Sequence, residues 1–150
     1  MKLKPEAVNR RLVRGLNGDI RREFELADAC LHQARFLPAE TYPVIYRQVA
    51  VCAATALANA TALAAEVMAL GGIPALPAGR RHEEIPVPSR RYRLGSREML
   101  AHYRRRLRMA EGLGFLRLRE VFQQIVRTKE LHLAHTGFMT GGLARRHLCG

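Results

Sequence analysis

The chain has 150 residues, of which 48% are apolar and only 6% aromatic, and its formal net charge is +12. This length suits one domain with its own hydrophobic core and is short for two. Alanine and leucine dominate the apolar positions, which favours helices over strands. The charge comes from 22 arginines and 3 lysines against 13 acidic residues. A positive surface of this size predicts an acidic partner, either nucleic acid or protein, or else repulsion between copies of the chain.

The cysteine content and the start of the chain predict a cytoplasmic protein. Cys30, Cys52 and Cys149 make an odd number without metal-ligand spacing, which fits a reducing compartment. We interpret Cys30 and Cys52 as small core residues, since no neighbouring residue predicts an activated thiol. No charged segment followed by an apolar one opens the chain, so we expect no secretion signal.

The first half of the sequence predicts two helices. A first helix over residues 5–36 begins with Pro5, which suits a first turn, and ends before Pro38. Its apolar residues recur at helical spacing: Val8, Leu12, Leu16, Ile20, Phe24, Ala27 and Leu31. The second helix begins near Pro43 or Val44 and ends at Gly71 and Gly72.

The centre of the second helix, residues 49–70, is long and apolar enough to cross a bilayer. Alanine, threonine, Asn59 and Glu66 would nevertheless make its insertion unfavourable. A helix that is apolar on all sides is more simply the buried centre of a bundle, so we expect no membrane association.

The second half predicts a long connection and two further helices. Residues 73–93 contain four prolines and two basic clusters, and a segment of this length suits a crossover between parallel neighbours in a four-helix bundle. Ser96 is predicted to cap the third helix, with Glu98 in its first turn. Gly112 and Gly114 separate it from the fourth helix, and a short basic tail is expected over residues 137–150, with one short helix near 143–148. We therefore expect a single all-α domain over residues 1–150.

Several short segments, in their order and spacing, resemble bacterioferritin, a member of the ferritin-like family. Leu31-His32-Gln33-Ala34-Arg35 is similar to the Leu-His-Ala-Arg segment of its first helix, and Gly72-Ile73-Pro74 to its Gly-Leu-Pro after the second. Residues 103–132 align with its third and fourth helices without a gap. The resemblance covers residues 8–136 and implies a ferritin-like four-helix bundle with a long crossover between the second and third helices, associated with iron storage.

The same resemblance implies a degenerate di-iron centre. The family uses four carboxylates and two histidines, because iron cations prefer oxygen ligands together with a few imidazoles. Glu23 and His132 stand at two of these six positions and are interpreted as vestigial metal ligands. The other four positions hold residues that do not match the family: Ala56, Asn59, Ser96 and Lys129. We therefore predict a non-catalytic subunit rather than a ferroxidase.

No resident cofactor is expected. Leu57 stands where the family's methionine would ligate haem between two subunits, so the resemblance argues against haem. Iron would then reach the protein only through a partner subunit.

Lys129 leaves two interpretations open. Its ammonium could take the place of iron and pair with Glu23 in the core, because a lone buried charge is costly. Alternatively, its side chain could reach the surface along its aliphatic stem, with His132 an ordinary core histidine. A buried pair needs good geometry to offset desolvation, so the residues alone do not decide. His132 and His135 lie one turn apart and could share a metal, but they lack a third ligand. A site made of Glu23, Glu130 and His132 has too few ligands for two irons.

Two functions follow from these patterns. The first is a shell subunit in a homo- or hetero-oligomer. Only Glu66, Glu120 and Glu130 could line a mineral cavity, so an active, acidic bacterioferritin subunit would supply both the missing chemistry and the missing charge.

The second function is nucleic-acid binding through an outward arginine belt. The belt comprises Arg80, Arg81, Arg90, Arg91, Arg93, Arg97, Arg104, Arg105, Arg106 and Arg108. The alternative interpretation of these residues is a solvated face that is partly neutralised by Glu98 and Glu111.

Overall fold

The structure is a computed structural model that describes the backbone of residues 5–36, 38–77 and 90–147, and the side chains of residues 5–36, 38–77 and 97–134. Within these residues the chain forms four α-helices: α1 (Pro5–Phe36), α2 (Pro43–Ala69), α3 (Arg90–Leu113) and α4 (Leu116–His147). The chain divides into two compact units, Met1–Ile85 and Pro86–Gly150. In the first unit α1 packs against α2, and in the second α3 packs against α4.

The first unit is held together by an apolar seam between α1 and α2. Both helices contribute larger apolar residues and alanines to the seam, which buries Leu12, Leu16, Ile20, Ala27, Ala53, Ala56, Ala60, Leu63 and Val67. The alanines provide little side-chain volume, so the seam combines large apolar groups with close packing of the two helices.

The turn after α2 is fastened to α1. Gly71 adopts a positive φ of 78° and its N–H donates to the Met68 carbonyl, so it reverses the chain as a helix-terminating glycine does. A Cβ on Gly72 would lie 2.7 Å from a Val13 methyl, so only glycine fits there without a shift. Asn17 then holds the next residues, because its Nδ2 donates to the Ile73 carbonyl at 3.0 Å and its Oδ1 accepts the Ala75 N–H at 2.8 Å.

The second unit is centred on Tyr103, which is fully buried and lies 6.1 Å from the ring of Phe122. Gly114, with φ 72°, makes the turn between α3 and α4, and the Phe115 N–H donates to the Ala110 carbonyl. Because both helices leave this turn in contact, the fully buried positions of α3 and α4 face each other across the hairpin.

The predicted bounds of α1 and the start and end of α2 are confirmed. Two predicted boundaries differ from the structure. α3 begins at Arg90, so Ser96 lies within the helix and not at its N-cap. α4 runs through Gly137 to His147, so most of the predicted tail continues the fourth helix. Residues 148–150 lie outside the described residues, as do residues 78–89 of the connection that was predicted over residues 73–93.

α2 is one helix that is long and apolar enough to cross a membrane by length and composition. Its most apolar window has a mean hydropathy of 1.5, and 44% of that window is buried. One such helix is weak evidence, because the core helix of a soluble bundle has the same properties. The expected burial of α2 holds for one side of the helix only, since Val44, Val51, Leu57 and Met68 are each at least 43% exposed.

Candidate functional site

Buried polar side chains mark the candidate site in the first unit. α1 contributes Asp19, Glu23 and Gln33, and α2 contributes Asn59 and Glu66, all at most 8% exposed. Burying a carboxylate is costly unless hydrogen bonds or opposite charges compensate it. Such a concentration of buried polar groups on one helix pair therefore indicates a specific arrangement rather than generic packing.

Glu23 and Asn59 are in direct contact. The Asn59 amide Nδ2 donates to Glu23 Oε2 at 3.3 Å, and Glu23 has no exposed surface. Hydrogen bonds to a carboxylate are stronger than those between neutral groups, so this contact offsets part of the cost of burying Glu23. The structure thus brings together two positions that the family resemblance assigns to one metal centre, one retained and one replaced.

These residues do not fit a di-iron centre. Ala56, one turn before Asn59 on α2, is 1% exposed and has no atom that can coordinate a metal. Asn59 offers an amide in place of an imidazole, and its N–H already occupies one oxygen of Glu23. Across the side chains that the structure describes, no group of three or more histidine, cysteine, aspartate or glutamate residues is placed to hold a metal ion.

Lys129 is a buried charge in the second unit. It is 7% exposed, and its ammonium lies 5.8 Å from the centroid of the Tyr103 ring, within the range of a cation–π interaction. This burial contradicts the interpretation in which the lysine extends to the surface. Pairing of Lys129 with Glu23 stays a prediction.

The remaining predicted ligands do not form a common site among the described side chains. His132 is half-buried, whereas the side chains of Ser96 and His135 lie outside the described ones. Glu130 is exposed and accepts a hydrogen bond from Arg104 at 2.9 Å. A rearranged oxidase site that uses Glu130 is therefore not supported, because that carboxylate is engaged at the surface of α3 and α4.

The arginine belt is described only in part. Arg97, Arg104, Arg105 and Arg108 are exposed on α3, and Arg106 is half-buried. Arg80 and Arg81 lie outside the described residues, and Arg90, Arg91 and Arg93 lie in α3 with side chains outside the described ones. Arg97, Arg104 and Arg108 are spaced by seven and four residues, so they share one side of the helix.

A second basic surface, which we call the α1 groove, was not singled out from the sequence. It is an open depression of about 580 Å³ between α1 and the end of α2, and its lining includes Arg10, Arg14, Arg21, Glu6, Leu70 and Gly71. Arg10, Arg14 and Arg21 lie on one face of α1, and their helical spacing can be read from the sequence. The end of α2 and the turn after it also line the groove, and no pattern in the sequence places them beside α1.

Sequence reasoning also missed the burial of two acids and the contact between two thiols. Asp19 lies one turn before Glu23, and Glu66 lies two turns after Asn59, so helical spacing does place both on the inner faces. Glu66, at 8% exposed, is part of the core of the first unit and not a surface ligand for mineral. Cys30 and Cys52 are buried as expected, but their sulfur atoms are also in contact.

The comparisons with known proteins support the fold. No family model and no curated protein matches the sequence. Among solved structures, the chain is similar to a ferritin-like, diiron-carboxylate protein from Bacillus anthracis str. Ames, with a TM-score of 0.76 and 19% sequence identity over 91% of this chain and 99% of that chain. The predicted fold class is therefore confirmed, whereas the specific likeness to bacterioferritin stays a prediction. The chain is an all-α protein with the ferritin-like four-helix bundle fold.

Proposed function

We propose that the chain is a bacterioferritin-like shell subunit associated with iron storage that does not itself oxidise iron. The observation that carries this proposal is the hydrogen bond from Asn59 to Glu23, because an amide donor now occupies one oxygen of the one carboxylate that the α1–α2 hairpin retains at the expected ligand positions. In this proposal, Asn59 and Ala56 stand where two metal ligands would be expected, and a hydrogen bond takes the place of metal coordination. Any iron would be oxidised on a partner subunit.

The outer face of α2 supports assembly into an oligomer. Val44, Val51, Leu57 and Met68 are exposed, and α2 carries only Arg47 and Glu66 as charged residues. An exposed apolar face on a chain with a charge of +12 is a surface where another subunit can dock without charge repulsion. Leu57 lies on this face, where the family resemblance places a residue between two subunits.

The proposal is tested by native mass spectrometry and metal analysis of the purified chain, alone and co-expressed with an active, acidic bacterioferritin. We expect mixed oligomers that contain both chains, with iron loading that rises with the share of the active subunit. Leu57→Glu should disrupt assembly, because it places a charge in the apolar face, whereas the matched change Glu120→Gln at an exposed site of α4 should not. A chain that stays monomeric under all these conditions would contradict the shell assignment.

Nucleic-acid binding is the second candidate function. The observations that favour it are the exposed arginines of α3 and the arginine-lined α1 groove. Guanidinium groups on one helix face neutralise phosphates without reading sequence, so affinity would fall steeply as salt rises.

This candidate is tested by titrating a short DNA duplex at several salt concentrations. Arg105 and Arg108 are the better residues to reverse, because Arg104 is engaged by Glu130 and Arg106 is half-buried. The logarithm of the binding constant should fall linearly with the logarithm of the salt concentration. Arg105→Glu and Arg108→Glu should each make that slope shallower by about one, because each variant removes a guanidinium that neutralises a phosphate. Absence of DNA binding at low salt, or an unchanged slope in both variants, would leave the arginines of α3 as a solvated face.

A further inference from the structure

The first unit contains two cysteines in contact across the helix pair. Cys30 Sγ on α1 and Cys52 Sγ on α2 are 3.1 Å apart, and both residues are reduced. Cys30 has no exposed surface and Cys52 is 6% exposed. A disulfide bond is about 2.05 Å long, so the two sulfurs need to approach by about 1 Å to form one.

The register in which α1 packs against α2 explains why the two sulfur atoms are in contact. Cys30 lies seven residues after Glu23, and Cys52 lies seven residues before Asn59. Seven residues make two helical turns, so in an antiparallel pair the register that places Asn59 against Glu23 also places Cys52 against Cys30. The sulfur pair and the Asn59–Glu23 hydrogen bond therefore belong to the same packing register of α1 against α2.

We propose that Cys30 and Cys52 form a redox site that hydrogen peroxide oxidises to an intramolecular disulfide between α1 and α2. In the first step the sulfur of Cys52, which is the more exposed residue of the two, attacks one peroxide oxygen, the O–O bond breaks and one water leaves, giving a sulfenic acid. Cys30 then attacks that sulfur and displaces the second water. In total two thiols and one peroxide give one disulfide and two waters, with two electrons passing from sulfur to peroxide.

Burial determines which oxidants the site accepts. A peroxide molecule is about as small as water, whereas a bulky alkylating reagent cannot reach a residue that is 6% exposed or less. The site should therefore consume peroxide in the native state while it resists thiol labelling. Since Cys30 is in place to attack as soon as Cys52 is oxidised, further oxidation to sulfinic acid should be suppressed.

The experiment uses the full chain with Cys149→Ser, which removes the third cysteine, Cys149, from the reaction. The reduced protein is treated with hydrogen peroxide under native conditions, acid-quenched and alkylated, and then analysed by intact mass and by peptide mapping without reductant. We expect a loss of about 2 Da and a peptide that joins Cys30 to Cys52. The melting temperature should rise by about 5–10 °C, because the bond closes a loop of about 22 residues, and should return to its starting value with dithiothreitol.

Matched variants separate the proposal from its alternatives. In Cys30→Ser the loss of mass should disappear and Cys52 should gain oxygen instead, which identifies the first attacking sulfur. Sulfinic acid on either cysteine of the Cys149→Ser protein, or a disulfide that forms only after unfolding in urea, would overturn the proposal. The same holds if native peroxide treatment leaves both thiols intact, because the contact would then be only a hydrogen bond between buried thiols.

Discussion

Asn59→Ala removes the amide that donates to Glu23 and leaves a fully buried carboxylate with one donor fewer. Hydrogen bonds to charged groups contribute about 1.5–3 kcal/mol, and the N···O distance of 3.3 Å is long for a strong one. We therefore expect the variant to lose about 2 kcal/mol of unfolding free energy. For a chain of this size that corresponds to a decrease of about 4–8 °C in the melting temperature.

The assay is urea and thermal unfolding followed by circular dichroism, in a double-mutant cycle of Asn59→Ala and Glu23→Gln. Because the two side chains are in contact, the effects should not add, and the coupling free energy should be about 1–2 kcal/mol. Thr61→Ala is the matched control, since Thr61 is exposed on α2 and its hydroxyl donates to the Leu57 carbonyl of the same helix. That change should stay within about 0.5 kcal/mol of the parent protein.

Two outcomes would refute this reasoning. One is an Asn59→Ala variant that is as stable as Thr61→Ala, and the other is a coupling free energy near zero. The isosteric change Asn59→Asp sharpens the test, since it places a second carboxylate beside Glu23 and should destabilise the protein more than Asn59→Ala at neutral pH.

Two further predictions concern the lysine of α4 and the turn after α2. If the Lys129 ammonium pairs with Glu23, Lys129→Met should lower the free energy of unfolding by about 3–5 kcal/mol in urea titrations. Adding Glu23→Gln should recover much of that loss. A melting temperature of Lys129→Met equal to that of the parent protein would argue against the pair. Gly72→Ala should lower the free energy of unfolding by about 1–3 kcal/mol, because the new Cβ would lie 2.7 Å from a Val13 methyl. Gly18→Ala in the interior of α1 is the control: no atom lies within 4 Å of its new Cβ, so it should stabilise the protein by about 0.5–1 kcal/mol. Equal melting temperatures for the two glycine variants would show that the contact with Val13 relaxes freely.

Local signals predicted most of the fold. Pro5, Pro43 and Gly71 mark helix ends through backbone constraints that act within one turn, so α1 and α2 could be bounded from the sequence. The start of α3 and the end of α4 could not. Ser96 is a good cap residue but does not forbid a preceding turn, and glycines such as Gly137 cost only about 1 kcal/mol in a helix.

The sequence predicted the candidate site only as far as the spacing of residues along a single helix determines which of them lie on its inner face. The family resemblance correctly brought Glu23 and the Asn59 position together, but whether a buried amide or a buried lysine finds a partner depends on packing between helices. The same limit explains why Cys30 and Cys52 were interpreted as ordinary core residues. Their contact follows from the register of α1 against α2, which composition and spacing do not specify.

Stopped-flow measurement of ferrous oxidation, with oxygen consumption recorded in parallel, tests the central claim most directly. It should be made on the purified chain alone and on a mixed oligomer with an active bacterioferritin. We predict that the chain alone oxidises iron no faster than buffer and that the mixed oligomer does so in proportion to its active subunits. Rapid oxidation by the chain alone, with two irons bound per subunit, would contradict the account.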